Sequence, residues 1–254
     1  ESKQTDSTRK FSVEKIVLIA AAGLVVAAVL AVVFYFVGIP ALQYSKALAL
    51  EKKGEPAAAY EQLEALGDSE SARKKKAELL DKMLAFKQSE VEFAGTTWLA
   101  LAERDGKTLL VTKDIIRDTN FNSELADTSW EESDLRAYLN GAFYNNLPEA
   151  DRIKIAETDL LNTANISSGV SSGKGTTDHI FLLSVADALY YFPTDSQRQA
   201  RLDGTAHPWW LRTSGTEKIT ACIVKADGAI GYAGSAVNMT TRGLRPACWA
   251  NLAQ

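Results

Sequence analysis

The chain has 254 residues, a formal net charge of −4 and 46% hydrophobic residues, enough for one or two domains with a substantial core. Its lysines and arginines form no basic stripe with interleaved aromatics, so nucleic acid is not an expected partner. Two cysteines, Cys222 and Cys248, exclude a disulfide scaffold and a CxxC zinc site.

The first residue is Glu1, which leads us to expect a fragment or a processed product. Residues 1–15 mix charges without an apolar period and are predicted to be a flexible tail. Residues 16–39 read IVLIAAAGLVVAAVLAVVFYFVGI, without one charge. As a helix rising about 1.5 Å per residue, this run crosses a hydrocarbon core of about 30 Å. It is longer than the apolar region of a signal peptide, and PALQYS after it is a poor cleavage site. A single transmembrane helix is therefore expected, with Phe34, Tyr35 and Phe36 in an interfacial belt. Lys3, Arg9, Lys10 and Lys15 precede it, against Lys46, Lys52 and Lys53 soon after. That bias places the N-terminus in the cytoplasm and the bulk of the chain outside the cell membrane.

Residues 40–88 carry leucines at three- and four-residue spacings, broken at Gly54-Glu55-Pro56 and Gly67-Asp68, as helices are. Tyr44, Ala47 and Leu50 before the first break, then Ala58, Ala59, Leu63, Leu66 and Ala72, resemble one tetratricopeptide-type hairpin. A lone repeat lacks the neighbours that bury its faces, so a stalk is expected. The basic run at 73–76 reads as a solvated helix face, with lipid head groups as the alternative.

Residues 89–254 read as an α+β domain with a small antiparallel sheet. Strands at 97–102 and 108–112 flank an Asp105-Gly106 turn. Ser129 and Glu132 match a capping box opening a helix that Asn140-Gly141 ends, and another helix begins near Pro148. A strand at 155–161 is followed by a Gly, Ser and Thr-rich loop at 162–177. A short strand at 180–183 leads to a helix capped by Ser184. Residues 195–204 are polar and mobile in character. Strands follow at 209–212, 219–224, 229–232 and 244–250, with Asp227-Gly228 as a turn. Strands at both ends suggest that the terminal ones pair.

Four stretches carry a resemblance over residues 91–252: GTTWLAL with DGKTLLVTKDII, TSWEESDLRAYLNGAFYNNL, TTDHIFLLSVADALYYF, and WWLRTSG with VKADGAIGYAG and GLRPACW. In this order they resemble a bacterial family of unknown function, DUF6273, often found outside the cell behind a membrane span. More remotely, the ending resembles the C-type-lectin-like fold shared with formylglycine-generating enzymes. That likeness implies a compact mixed domain and no particular activity.

Few residues offer chemistry. His179 and His207 are the only histidines, and a turn at Asp178 and the entry to Pro208 account for them without catalysis. No G-x-S-x-G elbow or metal motif is present, and no cofactor or metal is expected. SSGVSSGKG at 167–175 lacks the phosphate-loop frame and reads as a flexible loop. Cys222 and Cys248 read as buried thiols on strands. A disulfide between them is the alternative outside the cell, and copper binding would follow only from the oxidase likeness.

The candidate ligand-binding set is Trp209, Trp210, Arg212, Arg242 and Arg245. Alternation along a strand should bury one tryptophan of the pair and leave the other nearer solvent beside Arg212. Exposed Trp next to Arg is the make-up of a surface for a glycan, peptide or protein partner. The competing reading pairs Arg212 and Arg245 with carboxylates such as Asp178 or Asp227. The expected function is a membrane-anchored, non-catalytic binding or assembly module. Its alternatives are an oxidase using Cys222 and Cys248, or a structural subunit of a cell-envelope complex.

Overall fold

A computed structural model describes residues 24–67 and 69–253. The expected tail at 1–15, and residues 16–23 of the expected span, lie outside the described residues. Helix α1, Leu24–Lys52, is the one helix among the described residues long and apolar enough to cross a membrane. Its large apolar side chains from Leu24 to Val37 are exposed. Pro40 lies within it and has no amide hydrogen to donate to Phe36. A π turn at Phe34–Gly38, in which the Ile39 amide donates to Phe34 O, absorbs the misfit. The helix therefore runs on to Lys52, and the expected span and the first hairpin helix form one rod.

Helices α2, Pro56–Glu64, and α3, Glu70–Ala85, come next. Gly54 and Gly67 adopt φ of 81° and 63° at the breaks, and Ser69 caps α3 by accepting from Ala72 N. Half of the basic run is paired inside this layer, Lys75 reaching Glu51 at 2.7 Å and Lys76 reaching Glu64 at 3.1 Å, while Arg73 and Lys74 stay exposed. The helical layer is not a separate stalk but packs onto the C-terminal part of the chain. Ala59, Leu63 and Leu79 share one core with Trp98, Leu101 and Tyr190. Tyr190 Oη donates to Leu79 O at 2.9 Å, and Arg104 donates to Gly54 O at 2.9 Å.

The remainder is α+β, built on two five-stranded sheets. The first orders β1 (Ser89–Phe93), β2 (Thr96–Arg104), β3 (Lys107–Thr112), β14 (Pro246–Ala250) and β7 (Phe181–Leu182). The expected turn at Asp105-Gly106 is present, with φ of 51° and 72°. A second turn of the same hand at Ala94-Gly95 adds β1, which the sequence did not announce because alanine rarely adopts positive φ. Strand β14 pairs antiparallel with β3, Cys248 opposite Leu110, so the two ends of the domain do join.

The second sheet orders β12 (Ile230–Ala236), β11 (Thr220–Val224), β10 (Trp209–Ser214), β13 (Arg242–Leu244) and β4 (Arg117–Thr119). The expected strand at 244–250 is two strands, because the chain changes sheets at Arg245. Two short pairs complete the strands: β5 (Thr158–Leu160) with β6 (Thr176–Asp178), and β8 (Arg201–Leu202) with β9 (Thr205–Ala206).

Three helical expectations are corrected. Helix α4, Asp134–Tyr138, is capped by Ser133 rather than Ser129, because Trp130–Glu132 forms a 3-10 turn that carries Trp130 inward. It passes through Asn140-Gly141 in a π turn, Leu139–Phe143, instead of ending there. Asn140 holds that geometry by donating to Ile180 O and accepting from the His179 and Ile180 amides. A short helix α5, Glu149–Arg152, and the Ser184-capped α6, Val185–Tyr191, agree with expectation. Residues 195–204, expected to be mobile, contain α7, Asp195–Arg198, with a Thr194–Gln197 capping box, and then β8.

Candidate functional site

Four of the five expected binding residues are interior. Trp209 and Trp210 are both fully buried. Alternation does send them to opposite faces, but this sheet is covered on both, and all six residues of β10 are buried. Each indole is satisfied: Trp209 Nε1 donates to Arg198 O at 3.0 Å, Trp210 Nε1 to Thr119 O at 2.9 Å. Arg212 donates to Asp187 Oδ2 at 2.6 Å and Leu182 O at 2.8 Å. Arg245, at the corner between the sheets, donates to Thr112 O and Lys113 O and lies 4.8 Å from the Trp209 ring centre. Burial pushes its guanidinium down to about 10. Only Arg242 keeps a partly exposed side, donating to Ser235 Oγ at 2.9 Å.

The expected carboxylate partners are taken elsewhere. Asp178 accepts from Arg136 Nε at 2.6 Å, Trp130 Nε1 at 2.9 Å and Thr176 Oγ1 at 2.9 Å. Asp227 accepts from the Ala229 amide within its own turn.

Cys222 lies on β11 and Cys248 on β14, in different sheets; both are buried and free, so no disulfide joins them. Burial pushes the Cys222 thiol up to about 12 and the Cys248 thiol up as well, which keeps both protonated and unreactive. No group of three or more His, Cys, Asp or Glu suited to a metal occurs among the described residues. His207 meets Asp118 at 2.7 Å, and His179 stacks on Tyr144 with ring centres 4.3 Å apart. The loop expected to be flexible is pinned. Asn165 donates to Ser214 O and Tyr232 O, Ser172 accepts from Ser214 N, and the Lys174 amide donates to Glu131.

What the fold assembles instead is a groove between the helical layer and the first sheet. Its volume is about 420 Å³, and Leu79, Met83, Phe86, Leu101, Tyr190 and Trp249 line it. Glu51, Lys82 and Arg104 stand among its polar lining. Lys82 is committed to Glu51 at 2.8 Å, which raises the Lys82 ammonium, while Lys75 and then Lys82 lower the Glu51 carboxyl. Arg104 differs. Its guanidinium lies 4.7 Å over the Trp249 ring and donates only to Gly54 O, with no salt bridge among the described residues. A cation on a tryptophan face keeps donors for a further acceptor. A smaller chamber of about 50 Å³ adjoins it, lined by Glu55, Asp187, Arg212 and Trp249 among others. Burial, and then the charge of Asp187, push the Glu55 carboxyl up.

The groove was not legible in the sequence. Trp249 stood out in GLRPACW and Arg104 beside its turn, but their shared neighbours come from α3 and α6. No local spacing announces that meeting.

A family model described as a domain of unknown function, DUF6273, matches residues 105–252. No curated protein and no solved structure matches the chain. The match contains Tyr190 and Trp249 but stops short of Arg104 and the whole helical layer. The groove therefore straddles the edge of the matched domain.

Proposed function

The chain belongs to the DUF6273 family, and on that premise we propose that it is a single-pass membrane protein whose outer domain is a non-catalytic binding module. The N-terminus is cytoplasmic and the domain faces outward, as the lysine and arginine bias around α1 supports. The two sheets ending in the GLRP strand support a lectin-like arrangement, and α1 with α2 a tetratricopeptide-like hairpin.

One observation carries the binding reading: an apolar groove with an unpaired Arg104 stacked on Trp249. Such a seat suits a glycan, peptide or protein group with an apolar body and an acceptor edge, the body against the aromatic wall and the edge on the guanidinium. The test is capture on glycan and peptide arrays by the full chain in nanodiscs, alongside Ala102→Trp, which fills the groove. Loss of the captured ligand in Ala102→Trp is the expected result; undiminished capture would refute the seat.

Orientation is checked separately with Ser167→Cys and a membrane-impermeant maleimide on intact cells. The native thiols are buried and leave the background low. Labelling before lysis is expected, and labelling only after lysis would reverse the topology.

A further inference from the structure

We propose that Glu61 is a proton-operated latch that fastens the helical layer, and with it the membrane-spanning helix, to the family domain. Glu61 lies on α2 within the buried run from Ala57 to Leu63 and is 1% exposed. Its Oε2 accepts one long bond from Thr163 Oγ1, at 3.3 Å, and its Oε1 has no partner. The Thr163 loop belongs to the family domain, so this bond crosses the seam between the two layers.

Asp178 supplies the contrast inside the same molecule. It is buried to the same degree yet accepts from an indole, a guanidinium and a hydroxyl. Three strong donors satisfy a buried carboxyl group, whereas a single weak donor leaves it wanting.

The groups around Glu61 do not remedy this. Asp187 on α6 adds a like charge, while Arg212 on β10 and Lys46 on α1 oppose it from a distance. Arg212 is already committed to Asp187 and Leu182 O, and Lys46 is exposed. Cys222 on β11 and Tyr232 on β12 also face it, both held neutral by burial. Glu61 is thus best accommodated as the uncharged acid. Burial pushes its carboxyl from 4.5 up to about 7, with Thr163 pulling slightly the other way.

The sign follows from linkage. Below pH 4.5 the acid is protonated whether the layers are docked or apart, and docking is at full strength. As the pH rises from 4.5 towards about 7, the undocked carboxyl ionises and hydrates while the docked one stays protonated, and docking weakens over that window; above about 7 both are ionised and the effect levels off. Helix α2 follows α1 after a three-residue turn, so release at Glu61 loosens the domain from its membrane anchor.

The experiment is hydrogen exchange on the full chain in detergent micelles at pH 6 and 8.5. Protection of the Ala59 and Leu63 amides in α2 is corrected for intrinsic rate and referred to the amides of β10. In the wild type this relative protection should fall about tenfold, the change in docking constant for a carboxyl moving between 4.5 and 7. Glu61→Gln, neutral at every pH, should show a flat profile. Equal pH dependence in the two proteins, or none in the wild type, overturns the proposal. Should Glu61→Gln fail to fold, Thr163→Val decides: removing the one donor raises the docked carboxyl further and should deepen the fall between pH 6 and 8.5 beyond the wild type's, and an unchanged fall overturns it.

Discussion

The molecule handles its charged groups in two ways. In the β10 framework the carboxylates have strong partners, Asp187 with Arg212 and Asp178 with three donors, while Arg245 has two carbonyls and the cover of the Trp209 ring but keeps an unpartnered Nη1. In the seam between the helical layer and the domain, Arg104 has one carbonyl and a ring, and Glu61 has one long bond and an orphan oxygen. Satisfied groups fix a structure, whereas partly satisfied ones leave free energy available to a ligand or a proton. On the proposed reading, stability resides in the framework and binding in the seam.

The framework should break hardest. Trp210→Ala removes a fully buried indole from between Phe121 and the sheet and should cost about 3–5 kcal/mol in urea unfolding of the full chain. A loss below about 1 kcal/mol would mean that the framework is loosely packed. Next, Arg212→Met leaves Asp187 with its Ser184 donors but no counter-charge and should cost about 3–5 kcal/mol. Arg245→Met frees only carbonyl acceptors and should cost less, about 1–3 kcal/mol. If Arg245 proved the costlier of the two, the account of where buried charge is balanced would be inverted.

The seam should respond to pH more than to truncation. Relative to Glu61→Gln, the wild type should lose about 3 kcal/mol of docking stability as pH rises from 4.5 through about 7. Thermal unfolding at pH 5 and 8.5 reads the difference. The smallest effect on stability belongs to Arg104→Ala, about 0.5–1 kcal/mol for an exposed cation on a ring. The same substitution should nevertheless abolish most ligand capture, and that dissociation of stability from binding is what sharpens the comparison.

Local features were legible in the sequence because short-range chemistry sets them. The Asp105-Gly106 turn, the helix breaks at Gly54 and Gly67, the Ser184 cap and the apolar run of α1 follow from propensities and spacing alone. The tryptophan pair misled for a definite reason. Period-two alternation assigns faces, but it does not say whether a face meets water. Arg212 found Asp187 rather than Asp178 because Asp178 had been claimed by Arg136, 42 positions earlier in the chain. The groove lay further out of reach, since its wall joins Leu79 to Trp249 through tertiary packing only.

The proposed binding seat is the seam groove and not the Trp209–Arg245 framework. Affinity for an array-captured ligand, measured on the full chain in nanodiscs for Ala102→Trp and for Arg242→Ala, tests it most directly. Arg242 is the one framework candidate that reaches solvent. A loss of at least about tenfold, 1.4 kcal/mol, is expected for Ala102→Trp and unchanged affinity for Arg242→Ala. Retained affinity in Ala102→Trp with a tenfold loss in Arg242→Ala would contradict it.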